Sequence, residues 1–215
     1  MAFWKVKGVQ VVSGIGHLFA VNTGTSYPTF EYVETFKNPL AVPTNVATCD
    51  LVVSVAASNA AGGADLTLVA AVKNTLTTIP RNVVIAADAA QTELCTVTGY
   101  DQFGTAQTED ITFNGAAVVA GTKVWGSITT IHQVQRSGAA NIGCGLGSIF
   151  GTSRKILGLS LDAAVYTTAS GVETGVQETT RPVKTTTSGV HGVTFSTAIA
   201  VTKTYDLIYH SNEAR

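Results

Sequence analysis

Charge is scarce in this sequence. Of 215 residues, 13 are Lys or Arg and 14 are Asp or Glu, 13% in all, against about 25% in an average soluble domain. The net charge is −1, and the basic residues do not cluster beyond Lys5/Lys7 and Arg154/Lys155, so there is no electrostatic footprint for nucleic acid. Cysteine is scarce as well. Cys49, Cys95 and Cys144 form no CxxC pair and are odd in number, which excludes a disulfide scaffold and reads as buried free thiols of a reducing compartment. Leu, Glu and Lys are too few for a coiled coil or helix bundle, and 45% apolar residues exclude a disordered tail. No run of 18 apolar residues occurs, so no transmembrane helix and no membrane partner are expected. Behind Lys5 and Lys7 the apolar stretch is interrupted by Gln10, Ser13, Gly14, Gly16 and His17, so no secretion signal is expected.

What the chain has in quantity is Thr, Ala, Val and Gly. Short Val/Ile/Thr-rich runs broken by Gly, Asn and Asp predict an all-β fold: a β-sandwich of jelly-roll or Ig-like type with an extended N-terminal arm. Residues 1–45 hold three of the five prolines (Pro28, Pro39, Pro43) and four of the eight phenylalanines, and are read as that arm. Its aromatics Phe3, Trp4, Phe19, Phe30 and Phe36 are the expected interaction residues, because exposed aromatics need a surface to lie on. Residues 46–215 are read as the sandwich domain.

Within that domain, 50–55 and 65–70 are strand candidates around a turn at 59–63, and Pro80 marks a break before a strand at 81–86. The clearest local signal is a hairpin, with alternating strands at 93–100 and 107–113 joined by a type I turn, Asp101-Gln-Phe-Gly104. Asn114-Gly115 predicts another turn. The run 123–136 predicts one bent strand with a bulge near Thr129-Thr130, since Val124 and Ile128 share a face that Ile131 does not. The stretch 141–151 is so rich in glycine that it reads as a connector. Further strands are expected at 161–166, 191–195 and 204–210, the last with Tyr205, Leu207 and Tyr209 on one face.

A search for chemistry returns little. His17, His132, His191 and His210 have no zinc spacing. Gly143-Cys-Gly-Leu-Gly147 is neither GxGxxG nor GxxxxGK[ST], and no helix follows it to aim amides at a phosphate. There is no GxSxG elbow, and Cys144 has no base in its local motif. Glu109 and Asp110 are adjacent, so on a strand they point to opposite faces and make no acid/base pair. Asp101, at its turn, is expected to bind backbone N–H groups. No enzyme activity, cofactor or metal is expected. Sparse charge with abundant Thr instead describes strand surfaces that pack against other protein.

One ordered series of motifs remains. It runs Pro80-Arg-Asn-Val83, then Thr98-Gly-Tyr-Asp-Gln-Phe-Gly-Thr-Ala-Gln-Thr-Glu109, then Phe113, then Lys123-Val-Trp-Gly-Ser-Ile128 with Ile131, then the glycine-rich 143–151. Near the end stand Thr187-Ser-Gly-Val-His-Gly-Val-Thr-Phe-Ser-Thr-Ala198 and Lys203-Thr-Tyr-Asp-Leu-Ile-Tyr209. The series resembles structural proteins of tailed-bacteriophage heads over roughly residues 76–158 and 185–210. The resemblance implies a non-enzymatic capsid decoration (cement) protein, found on the capsid surface of the virion and assembled in the host cytoplasm. Its implied partners are the major capsid protein and further copies of itself, as a homotrimer. Other phage structural roles, in a tail or head–tail connector, stay open. So does a carbohydrate-binding or adhesive β module, for which Tyr205 and Tyr209 are the candidate aromatics.

Overall fold

The computed structural model describes residues 3–6, 9–12, 18–21, 29–37, 39–50, 52–57, 63–69, 79–134, 140–156, 158–169, 172–177, 183–184, 190–195, 198–200 and 203–211. In chain order the first strands are β1 (Phe3–Val6), β2 (Val9–Val12), β3 (Leu18–Val21), β4 (Thr29–Lys37), β5 (Val53–Ala57) and β6 (Ala64–Asp65). There follow β7 (Arg81–Ala87), β8 (Leu94–Tyr100), β9 (Ala106–Thr112), β10 (Val119–Ala120), β11 (Ser127–Gln133) and β12 (Asn141–Gly151). The last are β13 (Gly158–Ala169), β14 (Val172–Gln177), β15 (Val183–Lys184), β16 (Gly192–Thr194) and β17 (Lys203–Ser211). The fold is all-β with antiparallel pairing, as the composition requires.

The chain divides into two compact units. One comprises 1–39, 152–184 and 193–215; the other comprises 40–151 and 185–192. This differs from the division at residue 45 read from composition. In the first unit, strands run in the order β1-β2-β3-β4-β17-β13-β14. The N-terminal segment is extended chain, but it is paired. β4 lies against β17 over eight positions, from Lys37 opposite Thr204 to Phe30 opposite Ser211. The pairing is driven by the alternation of β17: Tyr205, Leu207 and Tyr209 are buried on one face while Asp206 and Ile208 are half-buried on the other. β15 and β16 pair antiparallel, Val183 opposite Thr194 and Lys184 opposite Val193.

The second unit is the sandwich. In one sheet β7 lies between β10 and β12, and β5 pairs with β12. The other sheet has the order β6-β11-β8-β9. Their inner faces meet in one core: Val83, Ile85, Ala87, Ile142, Cys144 and Leu146 from the first, Cys95, Val97, Ile111, Ile128 and Ile131 from the second, with Trp125 between. Fully burying each such aliphatic side chain is worth about 1.5–3 kcal/mol. Ile128 and Ile131, three apart, both reach this core because the register of β11 on β8 shifts between Ile128 and Thr130, which is the expected bulge.

Several boundaries move. The candidate at 50–55 becomes β5, which pairs with β12 and meets the candidate at 65–70 through the antiparallel bridge Val53–Leu68 and the bond from Val69 N to Val52 O at 2.9 Å; the two-residue strand β6 overlaps 65–70 only at Asp65. The turn at 59–63, except Gly63, lies outside the described residues. The largest correction concerns 141–151. It is the eleven-residue strand β12, buried through most of its length between β7 and β5. Its glycines allow neighbours to approach: a Cβ on Gly145 would lie 2.6 Å from Pro43, and one on Gly147 would lie 2.3 Å from Asn82 Oδ1.

Candidate functional site

The motif residues between Pro80 and Gly151 sit in the sandwich unit, those of 203–209 lie in the other unit, and several of the first group have a structural task. Arg81, fully buried at the start of β7, donates from Nε to the Gly147 carbonyl at 2.7 Å, from Nη2 to the same oxygen, and from Nη1 to Leu40 O at 2.5 Å. Its guanidinium lies 5.3 Å from the Phe150 ring centre, a cation–π distance. Asn82 donates to Gly121 O at 2.7 Å and accepts from Ile149 N at 2.8 Å. Arg81 and Asn82 thereby hold β12 by its backbone, at Gly147 O and Ile149 N.

The hairpin forms as expected, Tyr100 opposite Ala106. Asp101 Oδ1 accepts from Phe103 N and Thr105 N, both at 2.8 Å, and Gly104 takes φ 83°, a left-handed conformation that closes a type I turn into a hairpin. Gln102 donates to His191 O at 2.8 Å and Gln107 to Val124 O at 2.6 Å. Glu109 faces inward and Asp110 outward, as their adjacency requires. Glu109 then does something no local signal announces: Oε1 accepts from Thr122 N at 2.5 Å, Thr122 Oγ1 at 2.9 Å and Lys123 N at 3.2 Å. Residues 119–125 run along β7, with Val119 opposite Ile85 and Trp125 bridged to Arg81. The carboxylate of β9 therefore ties one sheet to the edge of the other.

The outward face of the four-stranded sheet is a different kind of surface. Its register makes two rows across the strands, Thr130–Thr98–Thr108 and Asp65–His132–Thr96–Asp110. Thr96 donates to Asp110 at 2.7 Å, and His132 Nδ1 lies 2.8 Å from Asp65 Oδ1. That pair is well exposed and worth little as an ion pair. Tyr100, 45% exposed, stands beyond the threonine row. No outward position of β6, β11, β8 or β9 is Lys or Arg.

In the other unit a carboxylate is the centre of a polar cluster. Glu34 on β4 accepts from Ser153 N at 3.0 Å and from the Tyr209 hydroxyl at 3.1 Å, and Ser153 Oγ lies 3.4 Å from that hydroxyl. Tyr32 stacks on Tyr209 at 5.8 Å, and the Arg154 guanidinium lies 5.9 Å from the Tyr32 ring centre. Burial pushes Glu34 above the usual carboxylate range; the Ser153 and Tyr209 bonds and the charge of Arg154 pull it back without cancelling the rise. Burial, reinforced by the charge of Glu34, also raises the Tyr209 phenol. The cluster fastens chain 152–154 to β4 and β17.

The remaining candidates are placed as follows. Phe3 and Trp4 lie in β1, Phe19 in β3 and Phe30 in β4, with side chains outside the described residues. Phe36 is buried, edge-on to Phe195 at 6.1 Å, so it packs within its own unit rather than standing out as an exposed aromatic. Tyr205 and Tyr209 are wholly buried; Tyr205 donates to Ala198 O at 2.7 Å. They pack across strands and offer no ring face to a sugar. All three cysteines are free and buried. Burial pushes the thiols of Cys49 and Cys95 up to about 12 and that of Cys144 well above the usual range, which leaves Cys144 a neutral thiol and a poor nucleophile. Among the described residues no three His, Cys, Asp or Glu side chains are grouped to hold a metal ion. Comparison with protein-family models, with curated proteins and with solved structures finds no match.

Proposed function

We propose that this chain is a non-enzymatic structural protein of a phage head, a decoration (cement) protein that bridges major capsid subunits on the outside of the shell and associates with copies of itself as a trimer. The observation that carries the reading is the outward face of the four-stranded sheet. It is regular and Thr-rich, with no Lys or Arg at its outward positions and its two carboxylates, Asp65 and Asp110, confined to one row; the methyls and hydroxyls of the threonine row are cheap to desolvate beside charged groups. The motif series that resembles phage head proteins supports the same reading through the sandwich that displays this face: Arg81, Asn82, Asp101 and Glu109 shape the fold beneath it.

The mechanism is adhesion by repetition. Each contact is weak, because association entropy offsets much of the burial. A lattice presenting many copies raises the effective concentration of the next contact. The test is co-sedimentation of the purified chain with expanded phage heads. Saturable binding at a fixed ratio to major capsid protein is expected, and Thr98→Lys with Thr108→Lys weakens it. A chain that leaves capsids unbound at every concentration overturns the reading.

A further inference from the structure

The two edges of the four-stranded sheet are fastened unequally. At β9 the buried Glu109 carboxylate accepts from the amides of Thr122 and Lys123, and the Lys123 ammonium donates to Thr108 O at 2.6 Å; hydrogen bonds to a charged group are the strong ones. The other edge is β6, two residues long, with Asp65 opposite His132 and Ala64 opposite Gln133. From there the chain crosses to the facing sheet. Leu66 N donates to Ile131 O at 2.8 Å, Leu68 bridges to Val53, and Val69 N donates to Val52 O at 2.9 Å. Residues 63–69 thus close one flank of the sandwich core, with Leu68 buried and Leu66 and Val69 half-buried against it. The side-chain clip on this segment, His132 on Asp65, is exposed and holds weakly.

Next to this weak edge lies an uncompensated polar group. Gln133 faces inward from β11, on the side that Ile131 also occupies, with Cys95 and Ala64 as its cross-strand neighbours. It is 1% exposed, and neither its Nε2 nor its Oε1 has a hydrogen-bond partner. Buried amides are nearly always bonded. One with both atoms unpaired favours whatever state lets water reach it. Removing β6 makes β11 the edge strand and opens the flank on which that amide lies.

We propose that residues 63–69 form a strap that leaves the sandwich as a unit while the two sheets stay packed, and that the Gln133 amide is the group that biases it toward opening. The Leu66, Leu68 and Val69 side chains hold the strap shut, and Gln133 works against them. The open form bares the edge of β11, whose unpaired backbone groups can take an added strand, and it moves Asp65 off the outward row. The strap is a property of the sandwich itself and does not depend on the capsid reading.

The experiment is native-state hydrogen exchange of the full chain, read by NMR at a series of low denaturant concentrations. In wild type the Leu66 and Val69 amides are expected to exchange together, through an opening that denaturant barely accelerates. Val97 in β8 is expected to exchange only through the denaturant-dependent global opening. The side-chain amide protons of Gln133 should follow the strap and not Val97. Gln133→Met fills similar space without the polar atoms, and is expected to slow Leu66 and Val69 about tenfold relative to Val97. The wild-type readings do not require that the variant fold. Strap amides that track Val97 at every denaturant concentration overturn the proposal. Gln133 side-chain protons as protected as Val97, or an unchanged ratio of strap to Val97 exchange in Gln133→Met, remove Gln133 as its cause and overturn it equally.

Discussion

Glu34 is a carboxylate that water reaches only in part, and its energetics decide how the first unit responds to pH. Burial raises it above its usual range, against the pull of Ser153, Tyr209 and Arg154. A raised acid binds its proton more tightly folded than unfolded, so its contribution favours the fold below the unfolded value near 4.5 and is lost as pH rises through the folded value. Wild type should therefore lose stability across that window. Glu34→Gln, which keeps an acceptor for Ser153 N–H but carries no charge, should show a flatter profile there. Denaturant midpoints taken between pH 4 and 7 measure this, and equal slopes in both proteins would contradict it. At this scale the sequence is partly legible. Asp101 announces its turn, because Asp in front of Gly three residues on has a short-range partner. Glu109 and Glu34 announce nothing, because Thr122 and Ser153 reach them only through the fold.

Strands show the same split between local and remote causes. β8, β9 and β17 follow the alternation of their side chains, β7 is a continuous run buried on both faces, and the bulge in β11 follows from two isoleucines three apart needing one core. β12 does have a period-two pattern, Ile142, Cys144 and Leu146 alternating with glycines, but glycine lowers β-propensity and masks it; the glycine face is explained by the close approach of Pro43, Cys49 and Asn82, and by the grip of Arg81 on Gly147. Two other glycines separate steric from torsional causes. A Cβ on Gly99 in β8 would stand 2.2 Å from the backbone oxygen of Ser127, whereas one on Gly104 meets nothing within 4 Å but must adopt φ +83°. Gly99→Ala should cost about 1–3 kcal/mol by forcing β8 and β11 apart. Gly104→Ala should cost about 1–2 kcal/mol and leave the sheet where it is. Hydrogen exchange at β11 amides distinguishes them: faster for Gly99→Ala, unchanged for Gly104→Ala. Acceleration in both would mean the hairpin turn, not the close approach, holds the register.

For the molecule as a whole, the first unit is assembled from three stretches of chain, so its sheet is made of partners remote in sequence. Thr35 donates to Asp206 at 2.6 Å across 171 positions, a pairing that composition cannot show and that long loop closure makes slow to form. This is why residues 1–45 read as an arm: their prolines and aromatics are visible locally, and the pairing of β4 with β17 is not. The two descriptions predict different truncations. Removing residues 1–21 takes away β1, β2 and β3 but leaves β4 on β17; removing 1–37 also takes Phe36 from Phe195 and Glu34 from Ser153 and Tyr209. Losing a buried Phe side chain alone costs about 3 kcal/mol or more, equivalent to roughly a hundredfold in an opening equilibrium. The shorter deletion should leave β17 amides protected, whereas the longer one should expose them by about that factor or beyond, read by hydrogen exchange at Lys203–Ser211. If β17 stays protected without β4, the N-terminal segment is an appendage after all, and the sheet is complete without it.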